Sequence, residues 1–446
     1  MKLLIISEMI APANQVASIR WTKLGKYLKI NHKVEVDVLT TAKRFSEVPK
    51  AACFKYDERL ADDCVYFSGY YEIPRGLRSK LIDSLFRLVE NLQFRLTRLL
   101  YSGSSNVGSL QVSNRNLAKD IWGFMLSAKG MSYVRHAKRM DVDWGSYDVI
   151  VSSFNPRWTH ILASSVKKKY PEICWLADFR DAPAAVPDVS KREADTYCQR
   201  WLKNVDVITA VSEGVLNALD GDLSSIGSVV QNGFDWAELQ ERDRKKCEVF
   251  KITYTGSLYG EEGCERDLTP IFDAIQLLIE SEKIDENKIL IEYAGNSSDE
   301  FIRQISGYKI KFIDHGFVSR SEALSIQDDA SLLALCSWNT KKMQGILTGK
   351  LFEYLSSGVP IICTCSGDVP NSRIKEVLQK ANAGICCEKV VGDEDFQALV
   401  KYIYEQCNHW EADGLTKCDS NWDYINSFRY DKLADRVYDL LISKKE

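Results

Sequence analysis

Thr348 to Ile362 reads TGKLFEYLSSGVPII, an amphipathic helix followed at once by a buried strand. Lys350 and Glu353 stand three apart, so a helix carries both on one face, while Leu351, Phe352 and Leu355 turn inward. Thr348 and Gly349 open the helix, where unpaired N–H groups and the positive end of the dipole favour an anion such as phosphate, and Lys350 adds a full charge. Glu353 is left to accept from hydroxyl groups. Gly358 ends the helix, Pro360 prevents its return, and Val359, Ile361 and Ile362 supply the strand. An ordinary surface helix with an exposed ion pair has the same spacing, so the rest of the chain must decide between the two.

Outward from this segment, short apolar runs alternate with amphipathic ones. KLLIIS (2–7), VEVDVLT (34–40), YDVIVSS (147–153), ICWLADF (173–179) and VDVITAVS (205–212) are strands of the kind buried on both faces of a parallel sheet. A polar connector precedes a second series: KITYTGS (251–257), ILIEYAG (289–295), KIKFIDHGF (309–317), SLLALCSW (331–338) and VPIICTC (359–365). At 446 residues the chain exceeds one comfortable core, and two α/β doubly wound domains are expected. Their ranges are 1–240 and 241–425, with a C-terminal helix over 426–446 whose apolar face suits packing across the domains. The interval 45–145 departs from the alternation and reads as a helical insertion.

That insertion is basic. Residues 65–140 carry twelve Lys/Arg against four acids, although the net charge of the chain is −4. In RGLRSKLIDSLFRLVENLQFRLTRLLY (75–101) leucines recur every three or four residues with arginines between them. Such a face packs on the core with a solvated basic rim or lies on an anionic membrane surface. No nucleic-acid motif accompanies the charge. The apolar start is closed by Glu8, too early for a secretion signal, and no run reaches the roughly 18 residues that span a bilayer, so a cytoplasmic protein is expected, associated at most with the inner face of the membrane. Thirteen cysteines lack zinc or disulfide spacing and read as reduced, packed thiols.

The ordered segments SEMIAPANQVASIR, ADFRD, AVSEG, QNGFD, YTGSLYG, HGFV and TGKLFEYLSSGVPII resemble the retaining group 1 glycosyltransferases of the GT-B fold, over nearly the whole chain outside 45–145. The resemblance implies two Rossmann-like domains facing a cleft. It also implies transfer of a sugar with retention from a nucleotide-diphosphate donor to an acceptor hydroxyl, in surface polysaccharide or glycolipid assembly. The partners would be the nucleotide sugar and a glycan or lipid-linked acceptor, with no cofactor and no metal. On the donor side Glu353 matches the glutamate that accepts from ribose hydroxyls, and Lys350 stands near the phosphates. Gly256 and Ser257 lie where a backbone approaches those phosphates, Arg266 is a second cation, and Phe317 and Val318 match the segment whose backbone reads the base. Gly345 departs from the family, which commonly has a glutamate there for the donor sugar; its backbone and that of the residues up to Leu347, or Gln344, are left to hold the sugar. On the acceptor side the resemblance points to Asn14, Arg20, Asp178, Arg180 and Asp181, and His160 falls where a histidine faces the donor sugar. A helix cap for His160 and a loop-shaping ion pair among Asp178, Arg180 and Asp181 are the competing structural readings. A nucleotide-sugar epimerase or phosphorylase on the same fold, or a binding module without catalysis, are the competing functions.

Overall fold

The computed structural model describes all residues except 14–15, 42–57, 75–80, 83, 85–107, 187–188, 220–222, 224–225, 239–245, 260–263, 342 and 445–446. The chain forms two compact units, Met1–Val230 with Asp435–Glu446, and Gln231–Ala434. The dividing point lies inside the C-terminal helix Tyr430–Ile442. Its start belongs to the second unit, where Tyr430 N–H donates to Phe234 O at 3.0 Å. Its later part belongs to the first, where the Tyr438 ring stacks on His32 at 3.8 Å.

In the first unit the strands are β1 (Lys2–Ile6), β2 (Glu35–Thr40), β3 (Gly69–Glu72), β4 (Val149–Ser153), β5 (Cys174–Phe179), β6 (Val207–Ala210) and β7 (Gly227–Val229). They form one parallel sheet in the order β3-β2-β1-β4-β5-β6-β7. Leu3 pairs with Val36 on one side and Val149 on the other. The apolar β1 run is required by this central place, because helices cover both faces and leave no side of the strand for polar residues. Helices α1 (Val16–His32), α2 (Gly108–Ala137) and α3 (Trp158–Lys169) accompany the sheet. The interval expected to be a helical insertion contributes β3, whose Gly69 to Glu72 run beside Asp37 to Thr40 of β2. GYYE is too short and too polar to announce itself as a strand. The basic leucine pattern at 77–100 lies almost wholly outside the described residues.

The second unit has β8 (Phe250–Thr255), α4 (Thr269–Glu280), β9 (Ile289–Ala294), α5 (Ser298–Ile305), β10 (Phe312–Asp314), α6 (Arg320–Asp328), β11 (Leu332–Trp338), α7 (Gly349–Ser357), β12 (Ile361–Ser366), α8 (Arg373–Ala381), β13 (Gly384–Glu388) and α9 (Asp393–Asp413). Its parallel sheet runs β10-β9-β8-β11-β12-β13. The order reverses between β8 and β11, so the chain leaves these neighbouring strands in opposite directions. The carboxyl ends of this neighbouring pair are the place where doubly wound sheets hold ligands. Among the described residues, no helix is long and apolar enough to cross a membrane, and no cysteine is in a disulfide.

The opening segment folds as its pattern requires. Leu351, Phe352, Tyr354 and Leu355 of α7 are at most 1% exposed, and the Phe352 ring meets Phe428 at 5.0 Å. Each fully buried side chain of this size contributes about 1.5–3 kcal/mol through area removed from water. Gly358 caps the helix at φ +70°, a left-handed conformation that side chains other than glycine's resist.

Candidate functional site

The best-defined polar cluster lies at the reversal point of the second sheet, on α6 and α7. Glu353 Oε1 accepts from Lys350 Nζ at 2.7 Å and from Gln327 Nε2 at 2.7 Å. Gln327 is fully buried, and its Nε2 also donates to Thr255 Oγ1 at 2.8 Å, tying the carboxylate to the end of β8. Thr255 is fixed in turn by α7, since its backbone N–H donates to the Tyr354 hydroxyl at 3.0 Å. Glu353 Oε2 faces Arg320 Nη2 at 3.8 Å, while the same guanidinium nitrogen donates to Glu238 Oε2 at 2.9 Å.

One oxygen of Glu353 is therefore fully engaged and the other is held only by a long ionic contact. The side chain keeps 16% of its surface exposed. Burial would raise its pKa, but the charges of Lys350 and Arg320 and the hydrogen bonds from Lys350 and Gln327 outweigh burial and hold it at about 2. The group is a permanent anion at neutral pH with one oxygen oriented to accept. Lys350 is 31% exposed and spans the start of α7, so its remaining donors face outward from the ion pair.

Three loops converge beside this cluster. After β8, Gly256 N–H donates to Ala294 O at 2.8 Å; after β9, Gly295 N–H donates to Gly316 O at 2.8 Å. Gly295 is needed here because a Cβ would lie 2.0 Å from Gly256 O. Ser257 O accepts from Arg266 Nη1 at 2.8 Å and from the Tyr254 hydroxyl at 2.9 Å. The Arg266 guanidinium lies over the Tyr259 ring at 4.2 Å and the Trp338 ring at 5.8 Å. Arg266 Nε, Trp338 Nε1 and Thr348 Oγ1 are buried polar atoms that make no hydrogen bond. Phe317 is 53% exposed, and Gly316 before it takes φ +64°. Gly345 also takes a left-handed φ of +72°, which turns the loop ahead of α7.

Gln327 and Arg320 escape a reading of the sequence because they precede Glu353 by a whole strand and loop. Tyr259, on the loop after β8, and Trp338, at the end of β11, are far apart in the chain and meet edge to face at 6.3 Å, with Arg266 against both. Their one signal is position: Trp338 ends a strand at the reversal point.

The first unit corrects three expectations. His160 lies within α3, fully buried rather than in a loop, with Nε2 at 3.2 Å from Ser152 O and the rings of Phe154 and Phe179 at 5.1 and 4.8 Å. Burial lowers its pKa to about 4, so it is a neutral group of the core at pH 7. Arg20 and Asp178 are 1% and 0% exposed and form a salt bridge at 2.7 Å. The Asp178 carboxylate also accepts from Trp21 Nε1 and Thr209 Oγ1, each at 2.7 Å. Burial would raise the Asp178 pKa, but Arg20 and the hydrogen bonds lower it, so both groups are committed to each other. A buried pair needs this completeness of bonding, which fits the structural reading of Asp178.

Arg180 and Asp181 keep partial exposure after β5. Arg180 Nε donates to Phe154 O at 3.1 Å, and Asn155 Nδ2 donates to Asp181 Oδ2 at 2.9 Å. These bonds brace the loop after β4 against the loop after β5, beside the reversal point between β1 and β4. Asn14 lies outside the described residues.

Two doubly wound, parallel-sheet units in this order constitute the GT-B fold. The N-terminal domain of Candida albicans trehalose-6-phosphate phosphatase matches the chain with TM-score 0.61 at 10% identity, covering 100% of this chain and 97% of that one. Anabaena HepE, solved with UDP and glucose, matches with TM-score 0.56 at 13% identity over 99% and 100%. The lipopolysaccharide outer core galactosyltransferase WaaB matches with TM-score 0.55 at 13% identity over 100% of both chains. At such identities the likeness is one of fold. No protein-family model and no curated protein sequence matches the chain.

Proposed function

We propose that the protein is a glycosyltransferase that moves a sugar, with retention, from a nucleotide-diphosphate sugar to an acceptor hydroxyl in polysaccharide or glycolipid assembly. The observation that carries the proposal is the Glu353 carboxylate. It is held ionised at about 2 by Lys350 and Arg320, with Oε1 fixed by Gln327 and Oε2 turned to accept. A carboxylate in that state suits the two hydroxyls of a ribose.

In this reading the diphosphate lies over the Gly256–Ser257 backbone and the start of α7, against Lys350 and Arg266. Negative charge grows on the diphosphate as the glycosidic bond breaks, and preorganised cations and N–H groups stabilise it without moving a proton. They take the place of a metal ion. The acceptor hydroxyl loses its proton to the leaving phosphate on the same face, which yields retention with no protein nucleophile. The exposed backbone around Phe317 and Val318 contacts the base, the Gly345 loop the sugar, and Asn14, Arg180 and Asp181 the acceptor. UDP in the crystal structure of HepE supports the choice of nucleotide class.

The test is product analysis of the chain with a panel of nucleotide sugars, with and without glycan and glycolipid acceptors. The proposal expects glycosylated acceptor and free nucleoside diphosphate in equal amounts, with the donor's anomeric configuration kept. Nucleotide release or sugar isomerisation that ignores the acceptor would favour an epimerase-like activity instead.

A further inference from the structure

We propose that the surface formed by α2 and residues 81–82 is a docking face for an anionic lipid bilayer. Leu81, Ile82, Ala128, Met131 and Arg135 line a groove of about 350 Å³. Ala128, Met131 and Arg135 recur at the helical period, so one face of α2 carries them, and Phe124 continues that face one turn earlier. The stripe from Phe124 to Arg135 runs about 16 Å along the helix. Phe124 is 76% exposed and Leu81 63%, a large apolar surface for a folded chain to leave in water.

The charge around the groove selects the occupant. Between residues 121 and 140 the chain has Lys129, Arg135, Lys138 and Arg139 and no acid. Arg135, Lys138 and Arg139 are exposed. A protein partner presents charges of both signs, whereas a leaflet of anionic lipids offers one continuous negative field with hydrocarbon beneath it. An apolar stripe ending in cations matches that layering: Phe124 and Leu81 enter the interface while the arginines and lysines meet phosphate headgroups.

The experiment is co-sedimentation of the full chain with phosphatidylcholine vesicles and with mixed phosphatidylcholine–phosphatidylglycerol vesicles at low and moderate salt. The parent protein is expected to bind the anionic vesicles, to bind phosphatidylcholine weakly, and to release as salt rises. A combined Leu81→Ser, Phe124→Ser variant should lose binding by about ten-fold or more, because the lost apolar area no longer leaves water. Leu81 and Phe124 are exposed, so the thermal transition and nucleotide binding of the variant should stay with the parent's. A Lys138→Glu, Arg139→Glu variant, which leaves the groove intact, should lose binding to anionic vesicles as well. Equal binding of the parent to both vesicle types overturns the proposal. So does a serine variant that binds like the parent, since attachment would then be electrostatic without the groove.

Discussion

His160→Gln removes the one imidazole enclosed by Phe154, Phe179, Trp175 and Tyr197, and its consequence is a change in how stability depends on pH. In the folded chain this histidine titrates at about 4, against 6.5 for a free side chain. The unfolded chain therefore takes up a proton that the folded chain refuses. As pH falls through 6.5 towards 4, the histidine progressively favours unfolding. A difference of about 2.5 pH units corresponds to about 3.5 kcal/mol, at about 1.4 kcal/mol per unit. Above pH 7 the contribution is absent. The variant lacks this proton, so the stability gap between parent and variant should narrow with falling pH across that window. Urea unfolding followed by tryptophan fluorescence from pH 7.5 to 4.5 measures it, with Trp158 and Trp175 reporting on the same core. Parallel stability curves for parent and variant would refute the buried, neutral assignment. A loss of transfer activity in a variant with unaltered pH dependence would return His160 to a catalytic role.

Two further substitutions probe the supports of each unit. Asp178→Asn leaves the Arg20 charge buried with a weakened partner and should cost about 3–5 kcal/mol in denaturant unfolding. Gly295→Ala sets a methyl group 2.0 Å from Gly256 O and 2.4 Å from the Tyr293 hydroxyl, so the loop after β8 must move. It should lower stability by about 1–3 kcal/mol and weaken nucleotide binding together, measured by thermal unfolding and titration.

Both parallel sheets were legible because a strand buried on two faces is mostly apolar along its length, as LLII of β1 and IIC of β12 are. β3 was hidden because GYYE gains its place only by pairing with β2, a contact the local pattern does not encode. The helix from Gly349 to Ser357 was readable for the opposite reason: its caps, its apolar face and its Lys350–Glu353 pair are all local. What holds Glu353 from outside that helix was not. Gln327 and Arg320 look like any polar residues on an amphipathic helix until the sheet brings α6 beside α7. His160 and Asp178 misled because polar residues after strand ends are common in sites, and only burial distinguishes a side chain that faces a ligand from one that braces the core.

The central claim is that Glu353 holds a nucleotide, and calorimetric titration with nucleoside diphosphates tests it most directly. The parent protein should bind at least one of them, and Glu353→Ala should weaken that affinity by about 1–3 kcal/mol, roughly ten- to hundred-fold, through loss of a charged acceptor for the ribose hydroxyls. A folded Glu353→Ala protein that binds nucleotide as tightly as the parent, or a parent that binds none, would contradict the account.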